Sequence, residues 1–439
     1  MSETADHGPR RRAIRLDLSP LRRPEFRRLF SSATVAYLGS MVGYVAIPFQ
    51  LYRLTGSNFA VGLVAAVELV PLVIFGLWGG ALADRLDRRT IMLATGGAEV
   101  LLSAVLLANS LLAKPQIWAI YVVAGLLAVA SSLQRPSQEA LMPRTVPHDQ
   151  LTPAVAVWSM AWQLGSLLGP SLGGLLIARC GVSYGYAAWV VAALVSTLLL
   201  LRLGHYRPTA EEHEEPGFAS IRTGLRYALS RKDLLGTYVI DMVGMFLAMP
   251  MVLFPAFALH SFDRPDLLGL FYACEGVGSA IATMTSGWMQ HVHRHGRAIT
   301  LAAIGWGAAI GLAGLVPGHG PFWGSAGVWI ALGVLAVAGA LDQVSGTFRS
   351  VLWNQTIPDG LRGRLAGIEM LSYSLGPLGG QLRSGAVADW LGVRTAIVSG
   401  GALCMAGVGA SAAALRGFWS YDNRTDPHAV AARESRAAQ

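Results

Sequence analysis

At 439 residues, 53% hydrophobic and 14% charged, the chain is too apolar for a water-soluble protein, in which about 25% of residues carry charge. Its net charge of +8 is spread as basic residues between apolar segments, which argues against a nucleic-acid surface. Three cysteines without close spacing, Cys180, Cys274 and Cys404, argue against a metal site or a disulfide framework.

Residues 1–27 form a polar, arginine-rich tail. The apolar stretch behind it is too long for a signal-peptide core and lacks a cleavage site, so the tail reads as a cytoplasmic, topology-setting segment. About 20 apolar residues are needed to cross the hydrocarbon core. Twelve segments qualify, at about 28–52, 59–82, 91–113, 116–139, 151–178, 183–202, 234–259, 266–289, 298–316, 322–348, 363–388 and 394–415. With the N-terminus inside, only Arg53, Lys114, Arg179, Arg264 and Arg394 fall outside and Arg383 falls within a span, which fixes both termini in the cytoplasm. Residues 203–233 divide the spans six and six. This linker begins acidic, then becomes amphipathic, with Phe218, Ile221, Leu225 and Leu229 on one helical face. Residues 28–202 and 234–415 are the two bundles, and residues 416–439 read as a disordered cytoplasmic tail.

The functional signals follow in chain order. Glu68 and Glu99 lie inside spans two and three, where an ionised group costs about 3 kcal/mol and needs a partner, water or a function. After span two comes Gly79-Gly80-Ala-Leu-Ala-Asp84-Arg85-Leu-Asp87-Arg88-Arg89. Gly80 permits close helix approach, and Asp84 can accept from the free amides that begin a neighbouring helix. Arg85, Arg88 and Arg89 can pair acids or phospholipid headgroups. Span five contains Gly165, Gly169, Pro170, Gly173 and Gly174 within ten residues, which gives a smooth face for a neighbouring helix.

In the second half, Asp241, Glu275, Asp342, Glu369 and Arg383 are further charges within spans. Span seven adds Met245, Phe246 and Met249, and Trp162 and Tyr373 join them as adaptable aromatic and thioether surface for a bulky ligand, with membrane packing as the alternative. His291-Val-His293-Arg-His295 reads as solvent-facing histidines rather than a metal site. There is no phosphate-binding loop, nucleophile elbow or HExxH motif, so neither ATP-driven transport nor an enzyme is indicated. The halves also echo each other: Leu168-Gly169-Pro170-Ser-Leu-Gly173-Gly174 returns as Leu375-Gly376-Pro377-Leu378-Gly379-Gly380, which points to parallel repeats around a shared site.

The span-five string resembles the antiporter motif of major facilitator superfamily exporters, and the Gly79–Arg89 string resembles the superfamily's loop between helices two and three. Gln134-Arg135-Pro136-Ser-Gln-Glu139-Ala140, Asp241 with Pro250 to Pro255, and Pro358-Asp359-Gly-Leu-Arg362-Gly363-Arg364 resemble the branch of enterobactin exporters and macrolide efflux proteins. The resemblance covers residues 20–415. It implies an all-α membrane protein with twelve transmembrane helices in two six-helix bundles. It further implies proton-driven export of a siderophore or hydrophobic drug by alternating access, with no cofactor beyond the proton gradient. Small-molecule cargo and lipid are the implied partners, and a monomer the implied working unit. In such a fold the Gly80–Arg89 loop closes the cytoplasmic side against the start of helix eleven, near Arg362 and Arg364, with Glu369 within reach. Asp241 and Asp342 belong to cavity-lining helices seven and ten. Asp241 is a coupling or substrate residue or a structural hydrogen-bonding group; Asp342 is structural by preference. Glu275, where helices five and eight meet, is a proton carrier or an interhelical hydrogen-bonding group. Glu68 and Arg383 form an outer salt bridge or are solvated separately. Three departures stand out: Ala156 replaces an upstream glycine, Asp87 a loop glycine, and Arg135 lies too near the cytoplasmic end to stand for the drug-antiporter arginine of helix four. An uptake permease and a transport-inactive receptor are the alternative functions.

Overall fold

The computed structural model describes residues 17–83, 87–204, 226–318, 324–357 and 359–437. Twelve long helices account for most of them: α1 (Pro24–Thr55), α2 (Asn58–Ala83), α3 (Arg88–Ser110), α4 (Ile117–Leu141), α5 (Leu151–Cys180), α6 (Val182–Leu200), α7 (Lys232–Ala248), α8 (Leu268–Met284), α9 (His295–Leu315), α10 (Gly324–Thr356), α11 (Asp359–Leu391) and α12 (Val393–Ala414). Among the described residues there is no strand, as expected where lipid cannot satisfy an open sheet edge. Among the described residues eleven segments are long and apolar enough to cross a bilayer. The twelfth, α11, is long enough but carries Glu369, Gln381, Arg383 and Asp389, and it lies against α2 and α7. The two ends of the bundle are called inner and outer after the orientation that the basic residues predict.

In the first half α1 packs on α5 and α6, α2 on α4, and α3 on α4 and α6. In the second half α9 packs on α10 and α12, α10 on α8, and α7 on α11 and α12. The halves meet along α2 against α11 and α5 against α8. Single glycines turn the chain at matching places in the two halves: Gly181 joins α5 to α6 at φ 99° and Gly392 joins α11 to α12 at φ 87°. An L-side chain would be strained at either position.

Four expectations change. Span seven is broken: α7 stops at Ala248, and a 3-10 turn (Met251–Leu253), one short helical turn (Phe254–Ala256) and a π turn (Phe257–Ser261) complete the crossing. Pro250 and Pro255 explain this, since each lacks the amide a continuous helix needs. Span ten does not end at residue 348 but continues to Thr356, two turns further. The tail after residue 415 is ordered up to residue 437. Phe418 is fully buried against Gly236 and Gly296, Trp419 lies under the Arg297 guanidinium at 5.5 Å, and a helix follows at Pro427–Ala437. The same docking buries His295, whose ring contacts the Val292 carbonyl and Asn423 and lies 5.3 Å from Phe348; this histidine is not solvent-facing. The predicted amphipathic helix at 218–229 falls largely outside the described residues, of which Arg226–Ser230 are helical.

Candidate functional site in the membrane interior

The glycine stripe of α5 has two distinct uses. A Cβ on Gly165, Gly169 or Gly173 would strike Tyr37, Met41 or Val42, so three glycines seat α1. Gly174 instead faces Gly269 and Leu268 of α8, where the two backbones touch across the halves. Pro170 is buried within an unbroken helix. Below the stripe, Trp162 lies 4.0 Å from Tyr37, and with Phe30 and Trp158 they line a crevice between α1 and α5.

Asp241 is buried on α7 and ion-paired with Arg349 of α10, which is itself buried. The Arg349 guanidinium also lies 5.5 Å from the Tyr373 ring of α11. Trp353, one turn below Arg349, packs against Tyr373 at 5.8 Å and Tyr238 at 5.5 Å, and its indole N–H donates to Thr237 Oγ1 at 2.9 Å. The cation is thus held by α7, α10 and α11 together. Asp342, two turns earlier on α10, and Glu369, one turn before Tyr373 on α11, are within electrostatic range of it. Arg349 is the residue that sequence reasoning missed. With span ten ended at 348 it counted as a loop cation, although the polar run Asp342, Gln343, Ser345 and Thr347 was the signal of a cavity-facing helix.

Glu275 sits where three helices converge. Gly276 faces Leu167 of α5, and a Cβ there would lie 3.4 Å from its Cα. Gly278 faces the Ala336 carbonyl of α10, and Gly339 of α10 faces the Glu275 backbone. Its Oε1 atom is buried and has no hydrogen-bond partner. Along the inner half of α10, Gln343, Gly346, Thr347, Ser350, Asn354 and Gln355 line an open groove of about 430 Å³. Polar side chains at that density suit water or cargo rather than lipid.

The expected outer salt bridge is absent: none of the described ion pairs joins Glu68 to Arg383. Arg383 donates to the Leu247 carbonyl, one of the last carbonyls of α7, left without helical partners where Pro250 stops the helix. The outer side is held by other groups. Tyr44 OH bonds Met251 Sδ at 2.7 Å, the Tyr44 and Tyr272 rings lie 5.8 Å apart, and Tyr52 meets His260 at the same distance. Asp389, near the end of α11, accepts from Ser57, Asn58 and Phe59 at the start of α2.

Of the inner loop, Asp84 and Arg85 lie outside the described residues, as do the surroundings of Gly80 and the side chains of Arg362 and Arg364. Asp87 caps α3 by accepting from the Arg89 amide at 3.0 Å. Arg88 donates to the Ala140 carbonyl at 3.3 Å and Arg89 to the Leu201 carbonyl at 2.7 Å, so each satisfies the end of a helix in its own half. The three candidate lining residues of span seven face α11: a Cβ on Gly376 would lie 3.3 Å from Met245 Cβ, on Gly379 3.1 Å from Phe246, and on Gly380 3.0 Å from Met249. Met249 is buried in that contact, while Phe246 and Tyr373 keep 44% and 40% of their surface exposed.

Two half-bundles, a broken helix seven and a buried ion pair in the second half are what comparison with known proteins has to account for. Residues 16–430 match the transmembrane secretion effector family. The chain belongs to that family, within the major facilitator superfamily. It is 30% identical over 397 residues to the enterobactin exporter EntS of Escherichia coli and 29% identical to that of Citrobacter koseri, each alignment covering 90% of this chain and 92% of the relative. Solved structures share the fold at low identity. The nucleoside transporter NupG aligns with a TM-score of 0.68 at 13% identity over 90% of this chain and 99% of that one. The human organic anion transporter MFSD10 aligns with 0.60 at 17% over 89% and 99%. The chain is therefore a multi-pass membrane transporter and not an enzyme.

Proposed function

We propose that this transporter exports a siderophore or another bulky hydrophobic compound across the cytoplasmic membrane in exchange for protons, as a single chain with both termini inside. The observation that carries the cargo class is the similarity to enterobactin exporters over 90% of the chain. The arrangement of the halves supports an alternating-access cycle. Tyr44–Met251 and Asp389 with the start of α2 join them on the outer side, and the groove of α10 is open on the inner half. Cargo entering from the cytoplasm or inner leaflet meets that groove and the exposed rings of Phe246 and Tyr373.

For coupling, the interior offers acids of different kinds. Asp241 is tied to Arg349, whereas Glu275 has a buried oxygen without a partner and stands at the α5–α8 seam. Glu275 is the better placed proton carrier, with Asp342 beside it. The Asp241–Arg349 pair then holds α7 against α10 and orients the groove.

The test is uptake into inverted vesicles. A tricatecholate siderophore and a macrolide are offered in turn, with and without an imposed proton gradient. Accumulation that requires the gradient, and vanishes with a protonophore, is expected for at least one of them. Accumulation of a cargo regardless of the gradient would contradict proton coupling, and gradient-driven loss of preloaded cargo would contradict export.

A further inference from the structure

The bonds around Asp389 join the two halves. Ser57 Oγ donates to its carboxylate at 2.5 Å, the Asn58 amide at 2.7 Å, Asn58 Nδ2 at 3.0 Å and the Phe59 amide at 3.1 Å. The two backbone donors are first-turn amides of α2, which have no partner within their own helix. The carboxylate also lies at the positive end of the helix dipole. Ser57 caps the helix locally, accepting from the Ala60 amide at 3.1 Å, while the Asn58 and Phe59 amides are satisfied from the other half of the molecule, by a carboxylate 331 and 330 residues further along.

The backbone beside it is built for the same closure. Gly385, one turn before Asp389, faces the start of α2 so closely that a Cβ would lie 2.9 Å from the Asn58 carbonyl carbon and 3.2 Å from Phe59 Cα. One turn into α2, a Cβ on Gly62 would lie 2.7 Å from the Gln381 carbonyl oxygen and 3.0 Å from Leu382 Cα. Two glycines thus let the outer ends of α2 and α11 meet backbone to backbone, and Asp389 fastens them.

We propose that Asp389 and the first turn of α2 are the outer latch of the transport cycle, closed in this structure and broken whenever the outer side opens. The contact suits a reversible gate. Asp389 is exposed, so its carboxylate passes to water when the helices part. The helices run in opposite directions, so the end of each lies beside the start of the other. The proposal rests on the alternating-access reading but on no particular cargo or coupling ion.

The test is accessibility of the outer pathway. A single cysteine replaces Leu253, buried in the 3-10 turn that packs against α2 and α11, with Cys180, Cys274 and Cys404 changed to serine. Labelling by a membrane-impermeant maleimide is followed from the outer face of proteoliposomes, without cargo. Asp389→Asn, which keeps the shape and removes the charge, is expected to raise the labelling rate at least about tenfold, a shift worth about 1.4 kcal/mol. Gly385→Val should do the same by wedging the helix ends apart. Should Asp389→Asn not yield a monodisperse protein, Ser57→Ala with Asn58→Ala removes the two side-chain donors and should still raise the rate. Unchanged labelling in the Asp389 or donor variants, with Gly385→Val accelerated, would overturn the assignment. Because the readout needs no substrate, it stands apart from any failure of the export reading.

Discussion

Arg349 organises the interior at the scale of single residues. It is the buried cation that ties α7 to α10, and it lies over an aromatic ring of α11. Removing one partner of a buried pair leaves an uncompensated charge and costs about 3–5 kcal/mol, more than the pair itself contributes. Arg349→Met should therefore lower the melting temperature of the purified protein markedly, and Asp241→Asn together with Arg349→Met should recover most of the loss. A double variant no more stable than Arg349→Met alone would show that the two side chains are not coupled. The acids of this network were legible because a carboxylate within an apolar run stands out. Arg349 was not, since a cation near a span's inner end looks like one of the many that set orientation. Arg383 shows the opposite error: its place in the membrane was evident, but its partner is a backbone carbonyl freed by Pro250, and a helix break's free carbonyls are not visible as charges in a sequence.

Among the elements, the glycine-rich helices carry the contact between halves. The repeated strings in α5 and α11 were readable, and the structure gives them different partners. In α5 the stripe seats α1 and, at Gly174, α8; in α11 it seats α7. Gly174→Val would force the α5 and α8 backbones apart at Gly269. Since these helices join the halves, transport should fall below a tenth of the wild type while the protein still inserts, as measured by uptake per inserted molecule. Uptake at the wild-type level would mean that the contact is not part of the working seam. The C-terminal segment was misread because its polar composition hides one apolar patch, Phe418 and Trp419 with Tyr421. Phe418→Ala empties a fully buried site at an expected cost of about 3–5 kcal/mol. Limited proteolysis should then cut near residue 420 far faster than in the wild type, whereas an unchanged rate would show that the tail is held by other contacts.

For the whole molecule, twelve spans and a two-fold repeat were written in the hydropathy and in the recurring Gly-Pro strings, because lipid imposes long apolar runs. What the sequence left open was which charges meet, since pairing across the halves depends on helix rotation and on where α7 breaks. The proposed exporter is joined on its outer side, with a polar groove on its inner half and a buried Glu275 oxygen without a hydrogen-bond partner at the seam. In the proposed exchange cargo leaves as protons enter, and Glu275 carries them. The most direct measurement follows a pH-sensitive dye inside inverted vesicles as a transported siderophore is added under a proton gradient. Cargo-dependent proton movement is expected, lost in Glu275→Gln and kept in Arg53→Ala, with cargo binding intact in both. Proton movement undiminished in Glu275→Gln would remove that residue from the pathway, and cargo transport without any proton movement would contradict antiport itself.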